Sequence, residues 1–251
     1  TEARLGLTRM DQVLRAEEVF QFDSYEAELQ ELKDRIPIQY VVGHAYFQGL
    51  KIGLNSATLI PRPETEELVS EVVKLIDATQ AKRIIDLGTG SGCIALAIKS
   101  IRPDTEVLGF DNNPDAIDQA RRNADTLELD VNFIVADLFD YSFESADIIV
   151  SNPPYIPISE CEDMEEHVLA HEPGGALFVS DEQPLLFYDA IFALGKKILT
   201  NRVGWMVFEI HHLFGEEMRQ LGVKYCAKEV KLIEDLQGKD RMLLARYGRT
   251  T

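Results

Sequence analysis

Cysteine is scarce in this chain of 251 residues: Cys93, Cys161 and Cys226 stand far apart, with no C-x-x-C pair. Such spacing excludes a disulfide framework and a cysteine zinc site, and it fits a reducing cytoplasm. Positive charge is the second shortage. Only 25 Lys and Arg stand against 43 Asp and Glu, a formal net charge of −18. Phosphate contacts dominate affinity for nucleic acid, so tight binding to bare DNA or RNA is not expected. A partner that is itself basic where it docks remains compatible with this balance. Apolar runs are strand-sized, too short for a membrane-spanning helix, and no charged-then-apolar leader opens the chain. Low-complexity tracts are also missing. What is present is 45% apolar residues, enough for one large domain or a main domain with a small appendage.

Residues 1 to about 36 read as helical. Thr8 is placed to cap a helix from Arg9 to Phe20 with Val13, Leu14 and Val19 inward, and Ser24 precedes a second helix from Tyr25 to Ile36 carrying Leu29, Leu32 and Ile36. Two short helices make a poor core alone. Residues 38–60 change character: Tyr40-Val41-Val42, Gly43, Tyr46-Phe47, Gly49 and Leu50 to Leu54 predict a β-hairpin-like connector. Pro61-Arg62-Pro63 stiffens its exit, and Glu64 to Glu67 open a helix reaching about Ala78, with acidic residues in its first turn.

From Lys82 strands and helices alternate. Strands are expected at Arg83 to Leu87, Val107 to Asp111, Asn132 to Asp137, Asp147 to Asn152 and Trp205 to Ile210. Helices are expected at Cys93 to Ile101, Pro114 to Ala124, Leu185 to Leu199 and Phe214 to Leu221, before a hairpin from Glu229 to Asp235 and Arg241 to Tyr247 around Gln237-Gly238-Lys239. Repeated βα units predict an α/β fold with a doubly wound, mostly parallel sheet.

Two motifs carry chemistry. The run Asp147 to Ser151 reads as a buried strand that delivers Asn152-Pro153-Pro154-Tyr155 to the carboxyl edge of the sheet, where open α/β folds bind ligands. Successive prolines supply no N–H and stiffen the turn, leaving carbonyl oxygens on offer. Asn152 adds an acceptor and Tyr155 a flat wall. Together they form a slot for a planar group bearing an NH2, either an amide or the edge of a base. The second motif, Asp86-Leu87-Gly88-Thr89-Gly90-Ser91-Gly92, lets backbone approach a ligand at a helix N-terminus. Asp111, about 25 residues on, suits ribose hydroxyls. The spacing Gly-x-Gly-x-Gly differs from that of dinucleotide folds, and with an Asp inside the strand it suits S-adenosylmethionine better than NAD.

In this order, Asp86 to Gly92, Asp111, Asp137 and Asn152 to Tyr155 resemble the class I S-adenosylmethionine-dependent methyltransferases that modify a planar nitrogen. Gln39-Tyr40-Val41-Val42-Gly43, Phe47, Gly49-Leu50 and Leu59 to Glu66 narrow the resemblance to the protein-(glutamine-N5) methyltransferases of peptide chain release factors. Glu172-Pro173, Ala176-Leu177, Glu209-Ile210 and Gly238 to Arg241 continue it. The resemblance implies a Rossmann-like seven-stranded sheet and methyl transfer from S-adenosylmethionine to the glutamine of the Gly-Gly-Gln loop of class 1 release factors, in support of translation termination. It leaves S-adenosylhomocysteine as product and needs no metal. It also implies a cytoplasmic monomer without direct contact to nucleic acid or membrane.

The resemblance divides the chain into a partial N-terminal docking segment (1–36), a hairpin connector (37–62) and the methyltransferase domain (63–251), the first being the last part of a larger helical domain. The resemblance places Gly88 and Gly90 at the methionine portion of the donor, Asp111 at its ribose, and Asp137 and Leu138 at its adenine, with Asp86, Thr89, Gly92, Asn112 and Asn152 also among the donor-binding residues. Asn152 and the Pro153 carbonyl would hold the two amide N–H groups of the substrate, with Tyr155 packed on the amide plane. Pro154, Arg62, Glu64 and Phe47 would wall the slot, although Phe47 serves equally well as a hairpin core residue. The sister group that methylates a ribosomal-protein glutamine carries Arg-Ser-Pro where this chain has Pro61-Arg62-Pro63. Methylation of an exocyclic amine of adenine or guanine, or a cofactor-binding module without activity, are the alternatives.

Three features are decoys. His167 and His171 have the i, i+4 spacing of a zinc pair but no third ligand. His211-His212 reads as sheet-edge packing. Glu160, Glu162, Asp163, Glu165 and Glu166 read as a solvated helix face, or as a lure for a basic substrate loop.

Overall fold

A computed structural model describes residues 2–18, 23–199, 203–235 and 238–248. It begins with short helices α1 (Glu2–Leu5), α2 (Arg9–Leu14), α3 (Tyr25–Lys33) and α4 (Ile38–Val42), then a hairpin of β1 (His44–Phe47) and β2 (Leu50–Gly53). Next come α5 (Pro63–Thr79), β3 (Arg83–Leu87), α6 (Cys93–Ile101), β4 (Glu106–Asp111), α7 (Pro114–Leu127), β5 (Asn132–Val135) and β6 (Ile148–Ser151). An excursion of β7 (Ile156–Pro157), a 3-10 turn (Ile158–Asp163), α8 (Glu166–His171), α9 (Gly174–Leu177) and β8 (Phe178–Val179) follows. The chain closes with α10 (Leu186–Ile198), β9 (Gly204–Glu209), α11 (Gly215–Lys224), β10 (Glu229–Glu234) and β11 (Asp240–Tyr247). Among the described residues no helix is long and apolar enough to cross a membrane.

Seven strands form one sheet in the order β10-β11-β9-β6-β3-β4-β5, parallel except for β11, which lies antiparallel between β9 and β10. The central strands are apolar on both sides because both faces are covered. Ile84, Ile148, Val150 and Val207 face Leu68, Val69 and Val72 of α5 with Leu96 of α6 and Ile117 of α7. Ile85, Ile149, Met206 and Phe208 face Tyr188, Ile191 and Phe192 of α10 with Met218 of α11. Each large apolar side chain buried this way contributes about 1.5–3 kcal/mol. The order reverses between β4 and β6 on either side of β3, so a crevice opens beyond the carboxyl ends of these strands.

The hairpin locks onto this body. Asn123 of α7 accepts from the Gly53 N–H (2.9 Å) and donates to the Gly53 carbonyl (3.0 Å) and the Ser91 carbonyl (2.9 Å). A Cβ on Gly53 would sit 2.7 Å from Asn123 Oδ1, which is why that position has none.

The N-terminal third departs from the sequence expectations. Tyr40 to Val42 belong to α4 and not to an extended strand; Pro37 sets its start, Gly43 ends it at φ 79°, and Val41 is buried. Tertiary burial here outweighs the strand preference of a Val pair. The hairpin itself starts only at His44 and turns on Gln48-Gly49, both at positive φ. Thr8 caps α2 through a capping box with Asp11, yet Val13 and Leu14 point outward, 68% and 75% exposed. A helix of six residues is too short to lay a stripe on the body. Val19 and Phe20 lie outside the described residues, as does Gln237 of the last hairpin. The α3 helix stops at Lys33 with Leu32 exposed, because Arg35 adopts φ 61° ahead of Pro37. Pairing of β6 stops at Ser151 because Pro153 and Pro154 bring no N–H.

Candidate active site

A cleft of about 480 Å³ occupies the switch point. One half is built from backbone. Leaving β3, Gly88, Gly90 and Gly92 adopt φ of 72°, 55° and 80°, a region side chains avoid. The Gly88 and Thr89 N–H groups both donate to the Phe110 carbonyl of β4, at 2.8 and 2.9 Å, so the loop folds over the sheet edge. A Cβ on Gly92 would lie 2.7 Å from the Phe133 ring, whereas one on Gly88 or Gly90 would meet nothing within 4 Å. Gly92 is a packing glycine, and the open faces of Gly88 and Gly90 belong to the cleft.

Two carboxylates anchor this half. Asp86 is fully buried; its Oδ2 accepts from the Thr89 hydroxyl at 2.6 Å, and its Oδ1 has no partner among the described residues. Desolvation pushes its pKa up to about 7. Asp111, at the end of β4, accepts from the Gly90 N–H at 2.9 Å and the Asn113 N–H at 2.9 Å, each oxygen keeping a spare lone pair. Burial again raises the carboxyl. Beyond β5, Asp137 is exposed with one oxygen taken by the Phe139 N–H at 2.9 Å. Leu138, Phe139, Phe110, Phe143 and Phe187 supply a largely aromatic wall. An orphaned buried carboxylate oxygen, two open glycines, a second carboxylate with free lone pairs and an aromatic wall fit S-adenosylmethionine, which carries an ammonium, a diol and a flat base.

The other half is built from side chains on three elements. Asn152, Pro153 and Pro154 line the cleft directly after β6. Asn152 Nδ2 donates to Thr65 Oγ1 of α5 (3.3 Å), and the Thr65 hydroxyl donates to Glu209 Oε2 at the end of β9 (2.7 Å). Tyr155 donates its hydroxyl to Glu209 Oε1 (2.9 Å). Thr65 and Glu209 are both buried. Burial raises the Glu209 carboxyl, opposed by these two donors and by the positive Arg241, and burial, reinforced by that carboxylate, raises the Tyr155 phenol. With its NH2 bonded to Thr65, Asn152 lines the cleft with its amide oxygen free of any hydrogen bond to the described residues. The arrangement offers an acceptor to an incoming NH2 group.

The structure gathers Gly88, Gly90, Asp111, Asn112, Asp137, Leu138, Asn152, Pro153 and Pro154 around one cleft. Asp86, Thr89 and Gly92 are buried beneath it. Tyr155 turns its hydroxyl back to Glu209. Arg62 pairs with Glu172 Oε1 (2.6 Å), a buried carboxylate that also accepts from the Ile60 N–H (3.2 Å), and Glu64 is exposed on the first turn of α5. Phe47 packs in the core. Thr65, Glu172 and Glu209 carry roles that sequence reasoning missed. All three were visible only as members of short motifs, with no role attached to them.

The decoys resolve differently. No group of three or more His, Cys, Asp or Glu able to hold a metal exists among the described residues. His211 is buried with Nε2 3.1 Å from Glu160 Oε2 and its ring 6.1 Å from that of Tyr155. The acidic cluster is therefore not one solvated helix face. It spans the 3-10 turn and α8, with Glu160 tied to His211 and Glu166 to Arg35 (2.7 Å).

A glycine turn over buried carboxylates, facing an Asn-Pro-Pro-Tyr slot across the switch point of a seven-stranded sheet, defines a class I S-adenosylmethionine-dependent methyltransferase. The methyltransferase small domain family matches residues 65–178. The release factor glutamine methyltransferase of Flavobacterium psychrophilum is 39% identical over 254 residues, covering 98% of this chain and 89% of that protein. That of Bacteroides thetaiotaomicron is 42% identical over 217 residues, 85% and 77% of the two chains. The chain belongs to the release factor glutamine methyltransferases. Among solved structures, the tRNA (uracil-54, C5)-methyltransferase of Pyrococcus abyssi in complex with S-adenosyl-L-homocysteine superposes with a TM-score of 0.51 at 17% identity, over 81% of this chain and 43% of that one, a likeness of fold alone.

Proposed function

We propose that this enzyme methylates the side-chain amide nitrogen of the glutamine in the Gly-Gly-Gln loop of class 1 peptide chain release factors. The observation that carries the reading is the free Asn152 Oδ1 beside the N–H-less Pro153-Pro154 turn, at the mouth of the glycine-loop cleft. When bound, S-adenosylmethionine supplies an electrophilic methyl group on a sulfonium. Gly88 and Gly90 receive its methionine portion, Asp111 and Asn112 its ribose, and Asp137 and Leu138 its base.

An amide nitrogen is a weak nucleophile because its lone pair is delocalised into the carbonyl. Asn152 Oδ1 and the Pro153 carbonyl accept the two amide hydrogens, which fixes rotation about the substrate side chain and raises electron density on nitrogen. Tyr155, tethered by Glu209, flanks the amide plane. Alignment at near-attack distance is then the main catalytic device. The nitrogen becomes acidic only after transfer, so its proton leaves without a strong base.

Residues 1–36 serve as a docking segment, 37–62 as a connector and 63–251 as the catalytic domain. The enzyme acts as a cytoplasmic monomer that touches no nucleic acid and needs no metal. Labelled S-adenosylmethionine offered together with a class 1 release factor and total nucleic acid tests the reading. Label on the factor is expected; label on nucleic acid alone, or on neither, overturns it.

A further inference from the structure

Thr65 does not line the cleft itself, yet it links Asn152, which does, to the buried Glu209 carboxylate. Its hydroxyl has a single hydrogen, and Glu209 Oε2 at 2.7 Å takes it. The other Glu209 oxygen is occupied by the Tyr155 hydroxyl at 2.9 Å, so the carboxylate has no reason to release Thr65. The Thr65 oxygen is left able only to accept. Its neighbour at 3.3 Å is the Asn152 amide, and only the NH2 end of that amide satisfies an acceptor. The opposite flip would set two oxygens against each other and leave the NH2 group in the cleft.

We infer that Thr65 is a positioning residue that fixes the flip of the Asn152 amide through its one-way hydrogen bond to Glu209, and thereby restricts the slot to a substrate that donates hydrogens. The inference rests on the reading of Asn152 as acceptor for the substrate amide. It explains how the site discriminates between glutamine and its near-isostere glutamate. With Oδ1 forward, a carboxylate meets acceptors on both sides, from Asn152 and from the Pro153 carbonyl. With the amide free to turn, the NH2 group could meet a carboxylate oxygen, and discrimination would fall.

The test compares Thr65→Val, which keeps the shape and loses the hydroxyl, with Thr65→Ser, which keeps the hydroxyl. Three quantities are read with a class 1 release factor: kcat, the Kd for S-adenosylhomocysteine, and inhibition by the same factor carrying Gly-Gly-Glu. Thr65→Val is expected to lower kcat by roughly 10- to 100-fold, the usual cost of a misplaced reacting group. Its Kd for S-adenosylhomocysteine should stay within about twofold, which also shows that the variant folds. Inhibition by the Gly-Gly-Glu factor should strengthen, and Thr65→Ser should restore most of both properties. Thr65→Val turning over at the wild-type rate, or a Ser variant as impaired as the Val one, overturns the role of the hydroxyl. An unchanged preference for Gly-Gly-Gln over Gly-Gly-Glu overturns the role in discrimination. Wild-type enzyme that leaves the factor unmethylated instead defeats the functional reading itself.

Discussion

The two halves of the cleft are made in opposite ways. The donor half is local: seven consecutive residues from Asp86 to Gly92, with Asp111 one strand away, shape it through φ angles and backbone N–H groups. The acceptor half is assembled from a distance. Thr65 lies 87 residues from Asn152 and 144 from Glu209, and Tyr155 lies 54 from Glu209. A backbone site tolerates little change at its glycines but needs no neighbours to orient it. A side-chain site is only as well aimed as the groups behind it. Damage to one half should therefore leave the other working.

Asn152→Ala breaks the comparison most strongly if it is wrong. Turnover should fall by roughly 100-fold or more, because alignment of the amide is lost, while calorimetry finds the affinity for S-adenosylhomocysteine within about twofold. Asp111→Ala should do the converse. Loss of charge-assisted hydrogen bonds costs about 10- to 100-fold in S-adenosylhomocysteine affinity, with turnover at saturating donor much less affected.

A pH profile sharpens the contrast further. Burial raises the Glu209 carboxyl, while Thr65, Tyr155 and Arg241 favour its ionised form and Glu64 disfavours it. As pH falls through that raised value one carboxylate oxygen takes a proton and turns from acceptor to donor, so Glu209 can no longer accept from both Thr65 and Tyr155. The acid limb of kcat should therefore lie above the ordinary glutamate range, falling about tenfold per unit, and Glu209→Gln should abolish that limb.

The smallest effect concerns Asp86, whose carboxyl rises from 3.8 to about 7 on folding. A raised folded value means that the stability this group allows is fully present below the unfolded pKa and is lost as pH rises through 7. Urea unfolding of the ligand-free protein should find Asp86→Asn gaining about 2–3 kcal/mol over wild type between pH 5 and pH 8. A gap that stays constant or narrows would show that Asp86 does not titrate in this window.

This difference in construction also decides what could be read from the chain. The glycine turn, the alternating βα units and the Asn-Pro-Pro-Tyr strand end are short-range patterns, and they surface in the structure within three residues. Apolar strands buried on both faces leave little freedom of register. Thr65 shows the opposite case: a threonine in the first turn of a helix looks like any capping-region residue, and only the fold brings Glu209 to it. Val41-Val42 misled for a related reason, since burial beside Gly43 turned a strand-like pair into helix. The outward-facing Val13 and Leu14 belong to helices too short for periodicity to specify a face.

Tandem mass spectrometry of a class 1 release factor incubated with the enzyme and S-adenosylmethionine shows directly where the methyl group goes. One methyl group should appear on the glutamine of the Gly-Gly-Gln loop, located on the side-chain amide nitrogen, and should be absent with Asn152→Ala. A methyl group elsewhere on the factor, or full methylation by the Asn152 variant, would contradict the account.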